Sequence, residues 1–316
     1  MFDLQSYLKL NASFSEKLVF RLGSEVGIFS EINNMYLAMA YCLANRIQFC
    51  ISSADSNFHL NPKARSGWQS FFEPFVKEEI EDWHVKYNFY SNEDNFRNIS
   101  TLKRKIVIPF LKRLSGIDYL TQDVFHQMHS SRYQSKPYCI VELDFFGDLL
   151  ELTSNLVNIT WRLNDELKAE YQKVMKELEL PKEYIAVHYR AGDKHQQCER
   201  IDEENYINEV RYSNPDAKEA FVLSDDYRSI ENFINKTPWN IYTTCKEQEK
   251  GFAHKQFMLK SKKSRYEDLK RLIVGVEILS NAKHFYGTYS SSVGRFVGMR
   301  RNCEQVTGID FGRWRI

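Results

Sequence analysis

Residues 184–193, Tyr-Ile-Ala-Val-His-Tyr-Arg-Ala-Gly-Asp, decide how this chain is read. An apolar run of strand length, 184–187, delivers the chain into His188-Tyr-Arg190-Ala-Gly192-Asp193. A strand ending in a glycine turn crowded with a cation, an imidazole and a carboxylate is where an α/β domain would hold a phosphate. A guanidinium fixed there can grip two phosphate oxygens through parallel charge-assisted hydrogen bonds. Gly192 would let the backbone pass close to the ligand. The plainer reading, an arginine–aspartate pair closing a turn, stands beside it.

Downstream, strands are expected over 184–188, 220–223, 240–244 and 284–289. Helices are expected near 203–212, 227–235, 265–281 and 291–301. Such alternation with short turns predicts a parallel sheet covered on both faces. Ligands of these sheets sit beyond the C-terminal strand ends. Three polar turns share that edge: 188–193, Ser224-Asp225-Asp226 and Tyr289-Ser290-Ser291-Ser292. The serines suit either plain helix capping or a phosphate anchor at a helix N-terminus. For Asp225 and Asp226, capping or a ribose contact is preferred to a divalent metal, because the spacing is not Asp-x-Asp. The loop that follows Gly192 holds Asp193, Lys194, His195 and Glu199; Asp193, His195 and Glu199 are of the type a general base requires, and a solvated charged loop is the plainer reading.

Upstream, a strand over 17–22, a turn between Gly23 and Gly27, a helix over 30–45 and a strand over 47–51 make a β–turn–α–β unit. Ile32, Met35, Met39, Cys42 and Leu43 recur at helical spacing and mark a buried face. Residues 54–135 are rich in aromatics (Trp68, Phe71, Phe72, Phe75, Trp83 among them) without clean alternation. Another strand is expected over 138–143, then one bridging helix over about 155–180, stopped by Pro181. The chain thus divides into an N-terminal lobe, 1–180, and a C-terminal lobe, 181–316.

With 316 residues, 43% of them hydrophobic and 14% aromatic, the chain can bury two cores. Lys and Arg number 43 against 42 Asp and Glu, a net charge of +1, so no global field points to nucleic acid. Mean hydropathy is −0.51 and no apolar run is long enough to cross a bilayer. The six cysteines show no CxxC pair, so neither a zinc site nor a disulfide framework is expected. Without a secretory leader either, a cytoplasmic setting is expected. Basic clusters at Lys103-Arg104-Lys105, 260–265 and 313–315 read as solvated faces, with contact to a membrane surface or an acidic glycan as the sharper alternative, and the protein could sit peripherally at the inner membrane face.

Taken together, the motifs resemble the GDP-fucose-dependent fucosyltransferases: the α1,6 enzymes, the α1,2 enzymes and the protein O-fucosyltransferases. His188-Tyr-Arg190-Ala-Gly192-Asp193 is similar to their His-x-Arg-x-x-Asp signature. Phe221-Val-Leu-Ser224-Asp225-Asp226 matches their strand ending in Ser/Thr-Asp-Asp, and Gly287-Thr288-Tyr289-Ser290-Ser291-Ser292-Val293 their third segment, which leans towards the α1,6 branch. Gly27 through Asn33 and Asn34 is similar to their first-lobe turn and helix.

The resemblance implies a GT-B fold, with two Rossmann-like α/β lobes whose parallel sheets face a cleft. It implies fucosyl transfer from GDP-fucose to a glycan hydroxyl, a lipid-linked glycan included, with inversion and no metal or other cofactor. Arg190 would bind the β-phosphate and stabilise departing GDP, and His188 would position the donor. Ser290, Ser291, Ser292, Gly192, Asp225, Asp226, Gly27 and Asn33 would line the donor site. Asp193, Lys194 and Glu199 would belong to the catalytic loop. Two positions depart from the α1,6 pattern. The guanine-contacting Asp is Gly275 here, with Asp268 or Glu277 as substitutes. The catalytic Glu position is Cys198, with Glu199 one place later.

Overall fold

The computed structural model describes residues 2–24, 26–54, 56–89, 99–191 and 201–314. The chain divides into two units, Met1–Asn164 and Asp165–Ile316.

In the first unit, Glu16–Arg21 (β1), Ile47–Ser52 (β2) and Tyr119–Leu120 (β3) form a parallel sheet in the order β2-β1-β3. β3 comes from within the aromatic-rich stretch, where two residues of strand leave no alternation to read. The helix Ile28–Asn45 packs against β1 and β2, with Ile32, Met35 and Met39 fully buried as their spacing predicts. Val19 and Cys50 meet Ile108, Ile117 and Leu120 in a second cluster. Trp68, Phe71, Phe72 and Phe75 of the insertion are core. Trp68 stacks on Phe72 at 4.4 Å, and Phe72 lies 4.4 Å from Trp161.

Two elements differ from expectation. Instead of one strand over 138–143, Tyr138–Ile140 (β4) forms an antiparallel hairpin with Phe145–Gly147 (β5), closed by a turn in which Asp144 sits at φ 53°. The single helix over 155–180 is two helices, Leu149–Thr160 and Asp165–Leu178. Between them, Arg162 and Asn164 exchange backbone hydrogen bonds with Glu73 (2.8 Å) and Phe71 (3.0 Å). That extended pairing buries Trp161 and Leu163, which a continuous helix would turn away. Asn164-Asp165-Glu166 then restarts the helix with acids in its first turn. The second helix belongs to the second unit, where Glu166 pairs with Lys270 (3.3 Å) and Tyr171 bonds Asn281. The division therefore falls at Asn164, ahead of the expected 180.

The second unit holds a five-stranded sheet, parallel throughout, in the order β10-β9-β6-β7-β8. Its strands are Ile185–Tyr189 (β6), Glu219–Ser224 (β7), Asn240–Tyr242 (β8), His284–Gly287 (β9) and Val306–Gly308 (β10). One face is covered by Ile207, Val210, Ile230 and Phe233 from the helices Glu203–Ser213 and Tyr227–Lys236. The helix Lys262–Ser280 packs on β6 and β7, and Gly275 lets it approach Leu223 closely. β10 was not anticipated. It is three residues long, and its Val-Thr pair is the only strand signal there.

Candidate functional site

β6 ends at Tyr189, and strand alternation splits the residues at that end between two faces. Tyr189 enters the core, edge-on to Tyr206 (5.4 Å) and Phe233 (6.0 Å). His188 takes the other face, 6% exposed, beside its register partner Leu223. Arg190 follows with its guanidinium 5.9 Å from the Phe252 ring centre, within cation–π range.

The turn beyond is tied down by Asp225. One carboxylate oxygen accepts the Ala191 N–H at 2.8 Å, the other the Phe252 N–H at 3.1 Å. Its backbone carbonyl accepts the Gly251 N–H at 2.8 Å. The ends of β6 and β7 and the 251–252 loop are thereby joined through one acid. Asp226, 4% exposed, caps the helix Tyr227–Lys236 by accepting the Arg228 N–H at 3.0 Å, and its carboxylate also holds the Arg228 guanidinium.

After β9 the serine turn is gripped from both sides. Asp310 accepts the N–H groups of Tyr289 and Ser290, each at 2.7 Å. Arg295 donates to the Tyr289 carbonyl at 2.6 Å and reaches that of Ser290. Ser291 is the N-cap of the helix Ser292–Arg300, yet its side chain caps nothing. The residue is 1% exposed, and its buried hydroxyl meets no hydrogen-bond partner among the described residues. Gly294 seats the first turn of that helix directly under the Thr288 carbonyl, where a Cβ would stand 2.1 Å away. Neither Asp310 nor Arg295 was singled out from sequence. The available signal was a lone acid two residues beyond the Val-Thr-Gly run of β10.

His188, Arg190, Asp225, Asp226, Ser290, Ser291 and Ser292 thus share the C-terminal edge of one sheet. Gly192, Asp193, Lys194 and Glu199 lie outside the described residues. Gly27 and Asn33 belong to the first unit. There the 23–27 turn wraps its N–H groups around Glu31, whose buried carboxylate accepts from Gly23, Ser24 (3.0 Å) and Val26 (3.2 Å). The chain's own acid fills the anion nest that this glycine turn makes. Gly27 begins the helix, and Asn33 is buried on it.

Gly275 has no room for a base-contacting acid. A Cβ there would stand 2.9 Å from Leu223 and 3.5 Å from the Thr244 hydroxyl, itself buried and without a described partner. Asp268 is engaged by Lys260 (2.6 Å) and Arg271, and Glu277 by both guanidinium nitrogens of Arg300 (2.5 and 2.6 Å). Nearby, burial first and a hydrogen bond donated by the thiol to the Glu249 carboxylate second push Cys245 well above its ordinary range, so it stays protonated and unreactive.

Solved structures similar to this chain include fucosyltransferases. NodZ α-1,6-fucosyltransferase soaked with GDP-fucose superposes with a TM-score of 0.54 at 14% identity, over 90% of this chain and 92% of that one. The Bradyrhizobium NodZ structure gives 0.53 at 15% identity, over 89% and 92%. POFUT1 in complex with GDP gives 0.50 at 10% identity, over 93% and 98%. The chain shares the GT-B fold of these structures. No family model matches the sequence, and no curated protein matches it at the sequence level. Within this GT-B fold, the second unit gathers a strand-end guanidinium, an enclosed hydroxyl and a helix N-terminus at one edge. That set suits an anion of phosphate size.

Proposed function

We propose that this protein transfers L-fucose from GDP-fucose to a glycan hydroxyl, with inversion and without a metal. The observation that carries the reading is the pairing of Arg190, held at the strand end by the Asp225 bridge, with the enclosed Ser291 hydroxyl at the start of the helix Ser292–Arg300. The GDP and GDP-fucose named for the similar structures supply the donor. In the step itself, the acceptor oxygen attacks the anomeric carbon opposite GDP through an oxocarbenium-like state. The carbon–oxygen bond to the β-phosphate breaks, its electron pair stays on GDP, and the acceptor proton passes to a carboxylate. Glu199 and Asp193 are the carboxylates of the right type for that proton. Arg190 and the helix N-terminus offset the charge that builds on the leaving phosphate, work that a metal performs in other transferases. The acceptor is a glycan, a lipid-linked one included, and scattered cysteines support a cytoplasmic setting.

The test is GDP release from GDP-fucose, with GDP-mannose and UDP-sugars alongside, each with and without EDTA. Release confined to GDP-fucose, undiminished by EDTA and reduced at least a hundredfold in Arg190→Ala, is the expected result. Near wild-type turnover in that variant would overturn it, and preference for another GDP-sugar would move the donor assignment.

One observation favours a second reading, a non-catalytic nucleotide- or glycan-binding protein. The close contact of Gly275 with Leu223 removes the acid that contacts guanine in the enzymes it resembles. GDP binding by calorimetry with no turnover towards water or any acceptor would select it.

A further inference from the structure

The first unit carries a surface that neither donor binding nor the core accounts for. Residues 101–115, Thr-Leu-Lys-Arg-Lys-Ile-Val-Ile-Pro-Phe-Leu-Lys-Arg-Leu-Ser, are helical throughout, with a π turn over Lys103–Val107 leading into the α-helix Ile108–Ser115. The helix is seated by one face. Ile108 is 6% exposed in the cluster with Val19 and Cys50, and Ser115 donates to Glu81 at 2.7 Å. Gly116, left-handed at φ 62°, ends it.

The opposite face is apolar and open. Leu102, Ile106, Phe110 and Leu114 are 64%, 59%, 63% and 73% exposed. These four side chains form one stripe, whereas other exposed large apolar residues such as Val141, Tyr212 and Leu259 are scattered along the chain. Flanking the stripe are Lys103, Arg104, Lys105, Lys112 and Arg113, and no acid occurs between 101 and 115. Lys112 is held by Asp123 at 3.1 Å, while Lys103, Lys105 and Arg113 are exposed.

We infer that this helix is a docking surface for an anionic lipid bilayer, lying in the interface with its four apolar side chains among the acyl chains. Charge chooses the occupant. An apolar stripe edged by cations fits a surface that is apolar below and negative above. A second copy of the same face would set Lys103, Lys105 and Arg113 against their own counterparts, which opposes self-association. No described helix is long and apolar enough to cross a membrane, so the contact is peripheral. The inference is independent of the donor and would hold for a binding protein as well as for a transferase.

Vesicle flotation tests it, with the full chain and vesicles of phosphatidylcholine alone or mixed with phosphatidylserine. The wild type should float with the anionic vesicles only, and high salt should release it. Phe110→Ser/Leu114→Ser should lose flotation while keeping wild-type thermal stability, because both side chains already face solvent. Lys103→Gln/Lys105→Gln should weaken partitioning by about fivefold per cation removed. No flotation of the wild type, or equal flotation of the Phe110→Ser/Leu114→Ser variant, would overturn the inference. So would a concentration-dependent dimer in sedimentation velocity that the same double substitution abolishes, since that would assign the face to a second copy.

Discussion

Asp225 accepts the backbone N–H of Ala191 at 2.8 Å, so the residue that follows Arg190 is held by an acid from the neighbouring strand. Arg190 therefore leaves β6 in a fixed direction rather than from a free loop. An interaction that orients a cation needs this kind of support, because a small misplacement weakens a bidentate phosphate contact sharply.

Asp225→Asn replaces one of the two carboxylate oxygens with an N–H group facing another N–H. We expect a loss of about 1–2 kcal/mol in stability and roughly a tenfold fall in turnover of GDP-fucose. Denaturation curves and GDP-release kinetics check the two effects separately. Unchanged kinetics would remove the positioning role.

Ser291→Ala should behave in the opposite way. The hydroxyl is buried without a described partner, so removing it relieves an unsatisfied group, and stability should hold or rise slightly. GDP affinity should fall about tenfold, the value of one hydrogen bond to a charged oxygen. Calorimetry with GDP checks this, and an unchanged affinity would take the hydroxyl out of the binding site.

Gly275→Asp would not restore a guanine contact. The added side chain meets Leu223 at the helix–sheet seam, and overpacking of about 1–3 kcal/mol should follow, measured as a lowered unfolding midpoint. Gain of GDP affinity at unchanged stability would contradict the packing described here.

In the first unit, His84 is fully buried, and burial lowers its pKa from 6.5 to about 4 against the pull of Glu81 and Glu79. A depressed histidine pKa means the unfolded chain takes up the proton first. Stability is thus complete above pH 6.5 and drains away as the pH falls towards 4, by about 2 kcal/mol at about pH 5. Urea unfolding of wild type and His84→Gln at both ends of that window should show the acid limb in the wild type alone.

Most of the second unit was legible because β6, β7 and β9 bring their own punctuation. The apolar run at 184–187 and the glycine, Asp-Asp and triple-Ser turns announced both the sheet and its loaded edge. Short elements escaped, since β3 and β10 have only two and three residues to show. The break at Trp161 escaped for another reason. Helical spacing continues through 155–180, and only long-range pairing with Phe71 and Glu73 pulls the chain out of the helix. Asp310 and Arg295 act on backbone atoms, which no side-chain pattern records.

The π turn at Lys103–Val107 explains why the membrane-facing stripe is silent in the sequence. Side chains four apart drift by about 40° on a regular α-helix, so Leu102 and Leu114 would end up about 120° apart. A turn that closes on i−5 absorbs one residue, and the twelve steps between them then cover the angle of eleven, close to three whole turns. Deleting one residue within that turn would return a regular ladder and leave the stripe straight. Inserting one residue between Ile108 and Ser115 would twist the stripe apart, so length changes in this helix are not equivalent.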